Sequence, residues 1–303
     1  MNKTLASKKQ AWLYAIRLRT LPLALSSIFM GSFLAAYDNA FRWQVFVLAA
    51  FTTIFLQILS NLANDYGDSI HGADSLERQG PIRAVQSGVI SLGEMKRAMI
   101  IFVILSLLSG VLLIFVALND WKLFLIFLGI GLAAIVAAIT YTSGKNPYGY
   151  AGLGDLSVFL FFGLIGVLGT FYLHTMGISL PIILPAISLG LFSTAVLNIN
   201  NVRDIASDTL AGKKSIPVRV GRRNAVIYNW ILLVSGNAML VVFAFLTGNW
   251  GVLLAFFTVP LMLAIGYGVQ HKQQAAELDP YLKKMALSTL IWVILFGIGL
   301  LLF

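Results

Sequence analysis

The chain has 303 residues, 59% of them hydrophobic and 11% charged, where a soluble domain carries about 25% charged residues; this composition excludes an ordinary soluble domain and describes an integral membrane protein. The absence of cysteine excludes disulfides, thiolate zinc sites, iron–sulfur clusters and cysteine nucleophiles. A net charge of +9 suits nucleic acid as well, but in a polytopic membrane protein it ordinarily reflects topology, and no nucleic-acid partner is expected.

In chain order, Met1 to Gln10 is basic and lacks an apolar stretch closed by a small-residue cleavage site, so no removable signal peptide is expected. Trp12 to Arg19 reads as an interfacial amphipathic helix that runs into the first span at Pro22. Apolar runs of about 20 residues, each long enough to cross a bilayer, fall near 21–38, 44–63, 97–118, 121–141, 153–174, 180–199, 226–247, 251–270 and 286–303. Nine spans recurring from end to end predict one all-α bundle over 1–303 with the lipid bilayer as its solvent and no separate soluble module.

An odd number of spans puts the termini on opposite sides. With the N-terminus in the cytoplasm, only Arg42 and Lys122 of the 21 Lys and Arg lie on the far side, the asymmetry the positive-inside rule requires. The long connections then all face the cytoplasm, and chemistry is expected there.

Two of these connections are acidic. Asn61–Asp74 and Asn198–Asp208 each follow a long apolar run at the same depth. On helices, residues three or four apart share a face, so Asn61, Asn64, Asp65 and Asp68 point together, as do Asn200, Asp204 and Asp208. Carboxylates crowded at a membrane boundary repel one another and need cations; Mg²⁺ suits them, being hard and readily shared between carboxylates and substrate phosphates. Arg78 and Arg83 follow the first cluster, and Arg203, Lys213, Lys214 and Arg219 surround the second. Acids for Mg²⁺ interleaved with bases for phosphate oxygens describe a diphosphate site better than a bare metal site. The connection Tyr141–Asp155, rich in glycine and tyrosine with Lys145 inside it, reads as a loop lying close over a ligand, its tyrosine faces suited to a cation. His71 lies in the first acidic stretch, where a loop imidazole beside acids is ordinarily solvated.

The combination of Asn64-Asp65-x-x-Asp68, Asp204-x-x-x-Asp208, nine spans and Arg19-Thr20-Leu21-Pro22 resembles the UbiA superfamily of intramembrane prenyltransferases. Gly80–Gly88, Tyr141–Gly154, Asn200–Asp204 and Val218–Gly221 draw the resemblance towards the branch that prenylates 1,4-dihydroxy-2-naphthoate. One departure is that the superfamily's further Asp, four residues after Asp68, is Gly72 here, and Asp74 is displaced by two.

The resemblance implies a nine-transmembrane-helix bundle in a bacterial inner membrane, its active site facing the cytoplasm. It implies that Asp65, Asp68, Asp204 and Asp208 hold Mg²⁺, which binds a polyprenyl diphosphate assisted by Asn64, Arg83, Asn200, Asn201, Arg203 and Lys214. The polyprenyl group passes to the carboxyl-bearing carbon of 1,4-dihydroxy-2-naphthoate with loss of carbon dioxide, giving demethylmenaquinone. Tyr141 and Lys145 are candidates for the carbocation or leaving group, Arg17 and Arg19 for the aromatic carboxylate. Two alternatives stand beside this reading: the same chemistry on an acceptor such as 4-hydroxybenzoate, and a cation-coupled transporter. The acids cluster at one face and not at mid-membrane, which weighs against transport.

Overall fold

The computed structural model describes residues 7–71 and 83–303. The chain folds as α1 (Lys8–Ile16), α2 (Leu21–Tyr37), α3 (Trp43–Ile70), α4 (Leu92–Ala117), α5 (Trp121–Thr140), α6 (Gly154–Val158), α7 (Gly169–Thr175), α8 (Ile183–Arg203), α9 (Ile205–Leu210), α10 (Ile216–Thr247), α11 (Val259–His271) and α12 (Ala275–Leu302). The described residues contain no strand. They include nine helical segments long and apolar enough to cross a membrane.

The expected spans are present, and several helices run past their apolar runs. The helix α3 continues beyond residue 63 to Ile70, α10 begins at Ile216 and α12 at Ala275. Hydropathy marks only the part of a helix that meets lipid, whereas backbone hydrogen bonding carries a helix on through polar residues that face its neighbours. The amphipathic start is two pieces. Arg17, in the left-handed conformation at φ 53°, ends α1, and one 3₁₀ turn over Leu18–Thr20 leads into α2, whose Pro22 sits in the first turn. The fifth span is composite, with α6 and α7 joined by a π-helical stretch over Phe159–Leu168. Its wider turn presents a carbonyl sideways, and the Ser27 hydroxyl of α2 donates to Phe162 O at 2.6 Å.

Local signals set the helix starts. Ser91 and Glu94 form a capping box on α4, and Asp120 caps α5 by accepting from Leu123 N at 2.9 Å.

Packing divides the bundle. A large core joins α2, α8, α10, α11 and α12 around Phe192, Phe243, Trp292 and Phe296. A second joins α1, α3, α4 and α5 around Leu59, Leu62 and Met95. Between them α2, α3, α4, α5, the composite span and Leu197 of α8 enclose an apolar chamber of about 800 Å³. Leu107, Ile126, Leu132 and Ile178 in its wall are exposed, so the chamber is open at its side.

The large core depends on close backbone approach at Gly299 of α12, where an added Cβ would strike the carbonyl oxygen of Gly251. Gly299→Ala is expected to lower the thermal unfolding midpoint, since overpacking of this kind costs about 1–3 kcal/mol. Gly129→Ala in α5, where a Cβ would meet nothing within 4 Å, is expected to leave it unchanged. Parallel thermal melts of the two detergent-solubilised variants measure the difference.

Candidate active site

The site is assembled where the ends of α3 and α8 meet. At the end of α3, Asn61 is buried and acts on the backbone. Its amide donates to Ile16 O at 2.8 Å and to Thr20 Oγ1 at 2.9 Å, and its oxygen accepts from Gln57 Nε2 at 3.2 Å. Asn61 therefore clamps the bend that carries Arg17 and Arg19, a role separate from the acids it shares a face with.

Asn64 accepts from Thr142 Oγ1 at 3.2 Å, and the same hydroxyl lies 3.0 Å from Ala63 O. This seats the Tyr141–Asp155 connection on α3, and Gly67 permits it. A Cβ there would lie 2.5 Å from Thr142 O. Asp65 is buried, with Oδ2 accepting from Ala84 N at 3.1 Å. Its Oδ1 has no hydrogen-bond partner among the described residues. Asp68 is buried and heavily paired: Tyr150 donates its hydroxyl to Oδ1 at 2.7 Å, Lys213 Nζ lies 3.1 Å from the same oxygen, and Arg83 pairs with Oδ2.

At the end of α8, Arg203 is used almost completely. Nε donates to Asp204 Oδ1 at 2.8 Å, Nη2 to Asp204 Oδ2 at 2.6 Å and to Asn200 Oδ1 at 2.8 Å, and Nη1 to Asp279 Oδ1 at 2.6 Å. Asp208, on α9, faces Lys213 Nζ at 3.5 Å. Burial pushes its carboxyl up to about 6; Asp204 and Asp68 push the same way, and Lys213 opposes them. Lys213 thus joins the two acidic helix ends, its ammonium also 4.8 Å from the centre of the Tyr150 ring.

Tyr141 stands where the site meets the apolar chamber, its ring edge-on to Tyr148 at 5.3 Å. Burial and the nearby Asp155 hold its phenol well above the usual range, so it stays protonated. On the other side of α3 is a second chamber of about 330 Å³, with Tyr14, Arg17, Arg19, Asp65, Arg83 and Arg203 in its wall. Asn64 faces the apolar chamber and Asp65 the smaller one, so a single helical turn separates the two.

Other expected residues are less engaged. Lys145 and the Lys214 side chain are exposed, although Lys214 N donates to Tyr150 O at 2.9 Å and so ties the loop after α9 to the tyrosine loop. Asn201 is buried, with no hydrogen bond to the acids among the described residues. His71 bridges Gly67 O and Gly144 O, at 2.8 and 3.0 Å, and so stitches loop to helix. Asp74 and Arg78 lie outside the described residues. Sequence reasoning missed Tyr150 as a partner of Asp68, and Asp279. The available signals were a tyrosine within a glycine-rich loop and an acid opening the last span of a charge-poor chain.

Among the described residues no three acids or histidines converge on one point. Buried carboxylates with one unpartnered oxygen, at Asp65, fit a hard dication that takes one or two carboxylates and completes its shell with phosphate oxygens and water.

The fold and site define a helical membrane protein whose charged helix ends adjoin an apolar chamber. The chain belongs to the UbiA prenyltransferase family, whose model matches residues 24–290. It is 47% identical over 303 residues to the 1,4-dihydroxy-2-naphthoate octaprenyltransferase of Haemophilus influenzae, covering 99% of this chain and 98% of that one. It is 44% identical over 302 residues to the Escherichia coli protein of the same name, again covering 99% and 98%. Among solved structures, a UbiA homolog from Aeropyrum pernix matches with a TM-score of 0.69 at 16% identity, over 94% of this chain and 98% of that one. One from Archaeoglobus fulgidus, bound to DMAPP and Mg²⁺, matches with a TM-score of 0.69 at 16% identity, over 95% and 98%.

Replacing Asn61 by Ala would leave Ile16 O without its buried donor, while the Thr20 hydroxyl keeps Arg17 O and Gln57 Nε2; an unpaired buried carbonyl costs about 1–3 kcal/mol. Asn61→Ala is expected to melt earlier than the parent, with faster proteolysis around Arg17–Arg19 as the local readout.

Proposed function

We propose that this chain transfers a polyprenyl group from polyprenyl diphosphate to 1,4-dihydroxy-2-naphthoate, releasing diphosphate and carbon dioxide and giving demethylmenaquinone in its reduced form. The observation that carries the reading is the junction of the acidic and basic helix ends with an apolar chamber on one side and an arginine-lined chamber on the other. The names of the relatives at 47% and 44% identity support the same acceptor.

In this reading residues 1–303 are one prenyltransferase domain with its N-terminus and active site on the cytoplasmic face of a bacterial inner membrane, as the Lys and Arg asymmetry supports. The polyprenyl tail lies in the apolar chamber, where each buried CH₂ contributes about 0.8 kcal/mol. The sideways opening lets a long tail continue into lipid, so the chamber sets no upper limit on its length. The diphosphate lies between the ends of α3 and α8. Asp65, Asp68, Asp204 and Asp208 would hold Mg²⁺ with it. When bound, Mg²⁺ neutralises the diphosphate and stabilises the charge that develops on the bridging oxygen as the allylic C–O bond breaks.

Arg83, Lys213, Arg203 and Lys214 supply positive charge to the remaining phosphate oxygens, with Asn64, Asn200 and Asn201 as polar partners. In the structure Arg83, Lys213 and Arg203 rest on the acids themselves. They offset the buried negative charge, and with a metal on the acids they would be available to phosphate oxygens. Tyr141, protonated and at the mouth of the apolar chamber, faces the allylic carbon as it becomes cation-like; Lys145 would reach the leaving group from the loop.

The acceptor occupies the smaller chamber, its carboxylate on Arg17 and Arg19. The electron pair of the C–O bond leaves with diphosphate, and the naphthoate ring carbon bearing the carboxylate forms the new C–C bond. Release of carbon dioxide returns the C–C pair to the ring. No ring proton has to be removed, so the step needs no dedicated general base.

Purified protein given Mg²⁺, a polyprenyl diphosphate and 1,4-dihydroxy-2-naphthoate is expected to yield the prenylated, decarboxylated product by mass spectrometry. Absence of product at every prenyl length overturns the reading, and a carboxyl-retaining product from 4-hydroxybenzoate alone would assign the other acceptor.

Asp65→Asn and Asp208→Asn are each expected to lower turnover at least about 100-fold while the protein remains inserted and folded. Near-normal rates in both would remove the metal assignment.

A further inference from the structure

The smaller chamber has a second layer that the proposed reaction does not use. Asp279, in the second turn of α12, lies behind the wall and does not itself line the chamber. It accepts from Arg203 Nη1 at 2.6 Å through Oδ1, and from Arg19 Nη1 at 3.1 Å through Oδ2 and 3.3 Å through Oδ1. One carboxylate therefore holds two guanidiniums side by side, one from the turn before α2 and one from the end of α8. Both guanidiniums line the chamber.

The two arginines depend on it unequally. Arg203 keeps Asp204 and Asn200 whatever happens at Asp279, and its side chain is only 1% exposed. Arg19 is 37% exposed, and Asp279 is its acceptor among the described residues. Two like charges at the wall of a partly dry chamber repel, and a long side chain without an anchor spreads over many rotamers. A shared carboxylate offsets the repulsion and fixes the rotamer. It engages only Nη1 of Arg19 and leaves Nε and Nη2 for an incoming anion, the paired donors that suit a planar carboxylate.

We propose that Asp279 is a positioning residue that sets the preference of this chamber for a carboxylated aromatic acceptor, acting through Arg19 held against Arg203. The inference rests on the acceptor reading above and adds to it the means of recognition. It assigns the C-terminal span a part in acceptor selectivity, separate from diphosphate binding.

The test uses the full-length protein in detergent and two ligands that differ by the carboxylate, 1,4-dihydroxy-2-naphthoate and 1,4-naphthalenediol. Dissociation constants for both, and for a polyprenyl diphosphate with Mg²⁺, are measured for the parent, Asp279→Asn, Asp279→Ser and Asp279→Glu; turnover is measured in parallel. The parent should bind the naphthoate more tightly than the diol. Asp279→Asn and Asp279→Ser should each weaken naphthoate binding about tenfold, leaving the diol and the diphosphate within about twofold, with a raised KM for naphthoate and a kcat close to the parent's. Asp279→Glu should recover part of the loss. If every ligand weakens alike, or the carboxylate preference survives both substitutions, the inference is overturned. It falls as well if the parent shows no carboxylate preference. Loss of preference in the variants together with absence of naphthoate turnover in the parent would leave Asp279 as a carboxylate-positioning residue and overturn the reaction assigned above.

Discussion

Four carboxylates at the end of an apolar bundle repel one another and lose hydration, and the packing around them answers that electrostatic problem. Three of them have a basic partner, and Asp65 has the backbone N–H of Ala84. Arg83 pairs with Asp68, Arg203 chelates Asp204, and Lys213 lies between Asp68 and Asp208. At Asp208 burial and like charge outweigh Lys213, and its proton affinity is raised. In the proposed reading a dication on the acids and a diphosphate on the bases would replace these pairs, since each adds charge opposite to that of the groups it meets.

The backbone around the acids serves that arrangement. Gly67 lets the Tyr141–Asp155 loop lie directly on α3, and Thr142, His71 and Tyr150 then tie loop to helix at three points. Lys214 N and Tyr150 O extend the tie to the loop after α9. The two acidic ends are thus joined by the tyrosine loop as well as by Lys213. A single turn of α3 separates an apolar space from a basic one, with Asn64 facing the first and Asp65 the second.

Much of this could be read in the residues. The number of spans follows from hydrophobic length, because a backbone in lipid must satisfy its own hydrogen bonds and only long helices or closed barrels do so. Asp65, Asp68, Asp204 and Asp208 are visible because helical spacing puts each pair on one face and a charge-poor chain has few acids elsewhere. Asn61 shares that spacing and has a different role, holding the Arg17–Thr20 bend. Periodicity reports which face a side chain is on and says nothing of which neighbour it meets there. The helices α3, α10 and α12 extend past their apolar runs for a related reason, since hydropathy stops where lipid contact stops.

What the sequence by itself determined is the class of molecule, the nine spans, the asymmetry of charge and the two acidic segments, all set by local composition and period. What only the tertiary structure decided is the pairing: Tyr150 with Asp68, Lys213 between Asp68 and Asp208, Arg19 and Arg203 on Asp279, and the two chambers either side of Asn64 and Asp65. Arg19 and Asp279 are 260 positions apart, and no spacing rule connects them. They meet because α12 packs against α2 and α8, and that packing is selected by the shape of the whole bundle.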